Sequence, residues 1–224
     1  MSVYTALIPV RAGSRRIKNK NTQPFAGSNL LIHKIRQLKK VAEIDKIIVS
    51  SDSNLMLQMA IDEGVNIHKR ALEYADEKTK SFGEMVEYVV GDIETDYICW
   101  TPCVCPLVDE NIISSMIKKF KQELEFSEKY DSMVSASLLK EYLWYNGKTV
   151  NYSIDKHVKS QDLPDYFIII NGCFISSKIN ILHNKFCYGY KPYIYEVSKI
   201  QSIDIDDEYD LEIARILYNK YRLS

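Results

Sequence analysis

Short apolar runs alternate with helix-spaced stretches along most of this 224-residue chain. That rhythm constrains the fold more than any other feature. Residues 4–9 form a compact apolar run, residues 46–51 contain the β-branched stretch Ile47-Ile48-Val49, and residues 65–68 and 97–100 are shorter runs of the same kind. Between them lie stretches of helical period. Leu30, Leu31, Ile35 and Leu38 predict a helix over 29–41. Ser53 is placed to cap a second helix through 61, a third is expected near 82–90, and Asp109 is placed to cap a fourth running to about 126. A strand over 131–135 follows, and a strand over 167–175 is interrupted by Asn171-Gly172. Residues 200–205 read as extended, and a closing helix is expected over 206–221. Strands alternating with helices of ten or so residues imply βαβ units. The expected architecture is therefore three-layer, Rossmann-like α/β with a mainly parallel sheet. Ligands of such sheets bind beyond the carboxyl ends of the strands.

The rhythm breaks over 139–167. Tyr142, Trp144, Tyr145, Tyr152, Tyr166 and Phe167 crowd this stretch without a helical period, and Asn146-Gly147 has the composition of a hairpin turn. It reads as a small β-rich arm on a single domain spanning 1–224, and an aromatic arm is a natural place for self-association.

Bulk properties exclude several classes. Hydrophobic residues make up 46% of the chain and charged residues 26%, enough to bury a full core. A net charge of −1 draws the whole molecule neither to nucleic acid nor to an acidic membrane, so neither is expected as a partner. The first apolar run is too short for a secretory signal, and no stretch approaches 18 apolar residues, so a soluble cytoplasmic protein is expected. The five cysteines are an odd number, and reduced thiols are expected. Cys99, Cys103 and Cys105 lie close together, but no second cluster at matching spacing supports a zinc site.

The most informative segment runs from Pro9 to Asn21. It follows a predicted strand, and Arg11, Arg15, Arg16, Lys18 and Lys20 fall within ten residues of one another, with Gly13 and Ser14 among them. Free backbone N–H groups, guanidinium forks and ammonium charges can surround a polyphosphate. The bland alternative is a solvated charged loop. The eight-residue Walker pattern and the three-glycine dinucleotide fingerprint are both missing, so an NAD- or SAM-binding Rossmann domain is not expected.

A second segment, Ser202 to Asp210, alternates Ile203 and Ile205 with Asp204 and Asp206. On extended backbone, residues two apart share a side, so both carboxylates can reach one hard cation of the Mg²⁺ type. Alternatively, Asp206 or Asp207 caps the last helix, with Glu208 and Asp210 favouring its positive end.

The pattern Arg11-x-Gly13-Ser14-Arg15-x-Ile17-x-x-Lys20-Asn21 resembles the N-terminal signature of the acylneuraminate (sialic acid) cytidylyltransferases, with Arg15 where a lysine is usual. The Ile-Asp-Ile-Asp stretch at 203–206 is similar to the family's closing signature. Ser51-Asp52-Ser53, Lys69-Arg70, Gln161-x-Leu163-Pro164 and Asn171-Gly172 fall in family order between them, so the resemblance spans the chain. It implies the nucleotide-diphospho-sugar transferase type of fold. It also implies an enzyme that transfers CMP from CTP to an acidic sugar, such as a sialic, legionaminic or pseudaminic acid, for surface glycan synthesis. The implied nucleotide-binding residues are Arg11, Gly13, Ser14, Arg15, Lys20, Asn21 and Arg70. Those assigned to catalysis are Arg11, Arg15, Lys20, Asp204 and Asp206, with Mg²⁺ on Asp204 and Asp206. The implied acceptor contacts are Thr101, Gln161 and Asn171, and the arm implies a homodimer.

The middle of the chain departs from the family. Thr101-Pro102-Cys103-Val104-Cys105-Pro106-Leu107 stands where Gln-Pro-Thr-Ser-Pro-Leu-Arg is usual, and Arg70 is followed by Ala71. Arginines expected just before Gln161 and Asn171 are replaced by Ser160 and by residues 168–170. Such forks pair an acceptor carboxylate, so acceptor identity is the part the departures leave open. The alternatives are another sugar acid, a phosphorylated polyol or a phosphonate, or a non-catalytic relative.

Overall fold

A computed structural model of the chain describes residues 2–14 and 16–222. Eleven strands and six α-helices alternate in it. They are β1 (Tyr4–Pro9), β2 (Pro24–Phe25), β3 (Ser28–Asn29), α1 (Leu30–Leu38), β4 (Lys46–Ser51), α2 (Asn54–Asp62), β5 (Asn66–Lys69), α3 (Phe82–Gly91), β6 (Tyr97–Trp100), α4 (Glu110–Lys119), β7 (Ser132–Leu139), β8 (Trp144–Tyr145), β9 (Lys148–Thr149), β10 (Tyr166–Ser177), α5 (Lys178–Asn184), β11 (Pro192–Glu196) and α6 (Glu208–Arg222).

Seven strands form the central sheet in the order β11-β7-β10-β6-β1-β4-β5. β1 pairs in parallel with both β4 and β6, and the β4–β5 and β7–β11 pairs are also parallel. β10 is antiparallel to both of its neighbours, so it runs against the other six. The chain winds from β1 outward through β4 to β5, then returns to place β6 on the other side of β1. That reversal opens a crevice at the carboxyl ends of β1 and β6.

Side-chain alternation along β1 explains the three layers. Tyr4, Ala6 and Ile8 face one way and join a cluster with Leu31 and Ile35 of α1, Met56 of α2, Met116 of α4 and Leu211 of α6. Leu7 faces the other way and packs with Val86 and Val89 of α3 and Ile181 of α5. A strand covered on both faces is apolar along most of its length, as β1 is, with the buried Thr5 hydroxyl bonded to Thr95 Oγ1 at 2.9 Å.

α2 and α4 start where the sequence places their caps, and α1 is capped by Asn29, which the sequence puts inside the helix. Asn29 Oδ1 accepts from Ile32 N at 2.9 Å, Ser53 Oγ from Met56 N at 3.4 Å, and Asp109 Oδ1 from Ile112 N at 3.0 Å. α3 opens on a full capping box. Ser81 Oγ accepts from Glu84 N, Glu84 Oε2 accepts from Ser81 N at 2.9 Å, and these bonds hold the Glu84 carboxyl down at about 2. The fourth helix is shorter than the sequence predicts. α4 stops at Lys119, and Phe120–Leu124 continue as one widened π-type turn. The arm at 139–167 carries the hairpin expected of Asn146-Gly147, both residues having positive φ (48° and 73°), but its strands β8 and β9 are two residues each. No described helix is long and apolar enough to cross a membrane.

Candidate active site

A cavity of about 680 Å³ opens at the crevice between β1 and β6. The basic loop forms one wall, because β1 ends at Pro9 and the chain turns immediately. Gly13 makes that turn possible, with φ at +73° and free space around it. Asp52, beyond the end of β4, steadies the loop by accepting from Ala12 N at 3.0 Å. Ile17 anchors the loop into the core. Asn21 is buried and donates its amide to Arg11 O at 3.3 Å.

Arg11, Ser14, Arg16, Lys20, Asn21 and Arg70 all reach the cavity. Arg11 donates to Ala75 O at 3.1 Å and stands 3.5 Å from Glu77. Arg70 is buried and donates to Val10 O and, at 3.1 Å, to Ser50 O, bracing the ends of β1 and β4. Burial lowers its pKa, and its Nε has no hydrogen-bond partner. Arg15 lies outside the described residues.

The acidic segment closes onto this loop. Lys20 Nζ donates to Ile205 O at 2.6 Å and lies 3.8 Å from Asp206, while Arg16 pairs with Asp206 Oδ1 at 2.9 Å. Of the two readings of this segment, capping holds at Asp207, with Asp210 bonding back to it. Asp207 Oδ1 accepts from Asp210 N at 3.0 Å, and Asp210 Oδ2 accepts from the backbone N–H groups of Asp206 and Asp207 at 2.9 and 3.1 Å. The Asp206 carboxylate pairs with the loop cations, and that of Asp204 turns toward β10. Asp204 Oδ2 accepts from Asn171 Nδ2 at 2.8 Å. Its other oxygen, Oδ1, is buried without a hydrogen-bond partner.

A buried carboxylate whose neighbour there is the weakly donating Cys105 thiol is poorly balanced, and it fits a position where a cation belongs. The donors here are all oxygen, which suits a hard divalent ion. Among the described residues, no group of three or more His, Cys, Asp or Glu side chains converges as a metal cage. Two carboxylates with substrate phosphates completing the shell is the arrangement Mg²⁺ commonly takes. The five cysteines are all buried and unpaired. Burial, and then the Asp204 charge, push the Cys105 thiol well above its ordinary range. Burial brings Cys103 and Cys187 to about 12, so these thiols are inert.

The wall across from the basic loop is aromatic. Phe82 packs edge-on against Trp100 (6.0 Å) and Phe186 (5.3 Å), Phe186 against Tyr188 (4.8 Å), and Tyr188 against Phe174 (5.1 Å). All five rings line the cavity. They come from four separate chain segments, so no local motif announces them. Ser81 and Lys80 complete the rim at the start of α3.

The remaining expected acceptor contacts divide. Asn171 lines the cavity. Thr101 is fully buried and its hydroxyl donates to Leu7 O at 3.2 Å, behind the wall. Gln161 is exposed on a single 3₁₀ turn, Ser160–Asp162, and is not among the residues lining the cavity.

A further support has no counterpart in the sequence pattern. Lys34 of α1 is fully buried, and its Nζ donates to Cys105 O and Val108 O at 3.3 and 3.0 Å. Gln37 Nε2 donates to Pro106 O at 2.8 Å beside it. Burial lowers the Lys34 pKa. This polar face of α1 holds the loop after β6, which in turn accepts Ile205 N on Val104 O at 2.9 Å and so fixes the acidic segment.

The cytidylyltransferase family model matches residues 5–223. The chain belongs to that family. Among curated relatives, it is 28% identical to the N-acylneuraminate cytidylyltransferase of Escherichia coli O18:K1:H7, over 96% of this chain and 52% of that protein. It is 25% identical to the pseudaminic acid cytidylyltransferase of Campylobacter jejuni, over 95% of this chain and 94% of that one. The chain thus spans about half the length of the E. coli relative and nearly the whole of the Campylobacter one. The solved CMP:2-keto-3-deoxy-manno-octonic acid synthetase complexed with CTP superposes with a TM-score of 0.70 at 13% identity, covering 98% of this chain and 99% of that one. The solved 4-diphosphocytidyl-2C-methyl-D-erythritol synthase of Anaerococcus prevotii does so at 0.64 and 13%, covering 96% and 97%. These likenesses establish the Rossmann-like nucleotidyltransferase fold of the cytidylyltransferase family.

Proposed function

We propose that this chain transfers CMP from CTP to a hydroxyl of an acidic sugar, a nonulosonic acid, and releases pyrophosphate. One observation carries the reading. Arg16 and Lys20 line the cavity and pair with Asp206 of the acidic segment, and Asn171, which also lines it, bonds Asp204, so the metal-type carboxylates stand directly behind the phosphate-binding cations although neither is itself among the lining residues.

Attack on the α-phosphorus demands positioning and charge stabilisation more than covalent help. Arg11, Arg16 and Lys20 face the cavity where the β- and γ-phosphates would lie and balance the charge of the departing pyrophosphate. Asn21 and Arg70 hold the loop and strand ends that receive the nucleotide. Asp204 and Asp206 would hold Mg²⁺, which supplies Lewis-acid neutralisation of phosphate oxygens. The aromatic wall excludes water and offers stacking surface to an acceptor with apolar substituents such as acyl or deoxygenated carbons.

The five rings carry no charge, and Lys80 at the rim offers an acceptor carboxylate one cation on that side. Tyr142, Trp144 and Tyr145 of the arm and Phe167 and Ile168 of β10 are exposed apolar side chains. They fit a homodimer in which a second chain completes the site. Light scattering should give twice the chain mass of 26.0 kDa at micromolar concentration; a particle of 26.0 kDa would count against the dimer.

The acceptor is tested by pyrophosphate release from CTP and Mg²⁺ over a panel of sialic, legionaminic, pseudaminic and Kdo-type acids, a phosphorylated polyol and a phosphonate. The expected result is release with a nonulosonic acid. Release only with the polyol or the phosphonate would move the acceptor class, and silence throughout without CTP binding would sink the reading.

A further inference from the structure

β10 contains an irregularity beside the site. Its pairing with β7 is regular through Ile169 and again from Phe174, and the register shifts between them. Residues 170–173 therefore leave the ladder as a bulge. The side chain of Ser135, fully buried on β7, spans that bulge. Ser135 Oγ donates to Ile170 O at 3.1 Å and accepts from Cys173 N at 3.0 Å. Gly172 sits at the crest, where an added Cβ would lie 2.7 Å from Val108 Cγ2 and 2.9 Å from Ser135 Oγ. Bulges re-aim a side chain at a site, and this one re-aims Asn171.

Both donors of Asn171 converge on one atom. Its backbone N–H donates to Asp204 Oδ2 at 3.3 Å and its side-chain amide donates to the same oxygen at 2.8 Å. The carboxylate is clamped by one oxygen, and the other, buried and unpartnered Oδ1, is left with a fixed direction.

We infer that Asn171 is the positioning partner of Asp204, and that the Ser135-held bulge sets it there. The inference rests on the reading of Asp204 as a divalent-cation ligand. It differs from the role the family resemblance gives Asn171, which is contact with the sugar. Partners that orient a ligating carboxylate typically change metal affinity by 10–100-fold when removed, although they never touch the ion. Ser135 is the more diagnostic residue, because it is buried beneath the bulge and is not among the residues lining the cavity.

The test uses the full chain and Mn²⁺ as the probe. Mn²⁺ uptake in the presence of CTP, without acceptor, is followed by water-proton relaxation for wild type, Asn171→Ala and Ser135→Ala. Acceptor KM is measured alongside. Both variants are expected to bind Mn²⁺ roughly 10–100-fold more weakly, with acceptor KM shifted far less. Asn171 is exposed, so its variant should fold even if Ser135→Ala does not. Unchanged Mn²⁺ affinity in Asn171→Ala with a raised acceptor KM would overturn the inference and restore the sugar contact. Absence of Mn²⁺ uptake by the wild type would remove the metal reading beneath it.

Discussion

Asp204→Ala is expected to lower turnover by at least about 10³-fold, the largest single effect the site predicts. A divalent ion on the phosphate oxygens contributes several kcal/mol of transition-state stabilisation, and each 1.36 kcal/mol is about tenfold in rate. Asp204 holds the only carboxylate oxygen found both buried and without a partner among the described residues. Asp206 does not replace it, because Arg16 and Lys20 already share its charge. Those cations stay in place in the variant, so CTP binding should survive while turnover falls. A turnover within tenfold of wild type would place the chemistry elsewhere.

Gly172→Ala should be a strongly damaging substitution beside the site. The new Cβ would meet Val108 and Ser135, both fully buried, and neither is the free end of a flexible side chain. Overpacking of this kind costs about 1–3 kcal/mol. At about 2–4 °C per kcal/mol for a domain of this size, the thermal midpoint should fall by roughly 2–12 °C. The bulge would also shift, and the Asn171 clamp on Asp204 with it, so turnover should fall further than the stability loss explains. Thermal unfolding followed by circular dichroism, paired with the pyrophosphate assay, checks both. A midpoint and a turnover equal to wild type would show that the crest relaxes without effect.

The parts of the fold that were legible in the sequence are those written locally. The caps at Ser53 and Asp109, the mostly apolar β1 and the hairpin turn at Asn146-Gly147 each depend on residues within a few positions. Strand direction and order are not local. Nothing in the apolar run of β10 states that it runs against its neighbours, and β11 was missed because its half-buried Pro-Tyr-Ile-Tyr-Glu stretch lacks a clean alternation.

The same divide holds at the site. The basic loop and the acidic pair stand out as charge patterns, and the fold brings them within ion-pair distance across more than 180 residues of chain. Arg16 was visible as a loop cation, but its pairing with Asp206 exists only in three dimensions. Lys34 looks like the polar face of an amphipathic helix, yet it is buried because two carbonyls of the loop after β6 need its ammonium. The aromatic wall is assembled from segments about a hundred residues apart. Thr101 follows β6 as the resemblance expects, but its side chain turns back onto β1.

The central claim is that a CMP unit leaves CTP and becomes attached to an acidic sugar. Incubation with CTP labelled at the α-phosphate, Mg²⁺ and the best acceptor of the panel tests it most directly. The account predicts that the label moves into a new CMP–sugar whose mass is the sum of CMP and acceptor less one water, with unlabelled pyrophosphate formed in equal amount. Label remaining in CTP, or appearing only as free CMP without a conjugate, would contradict it.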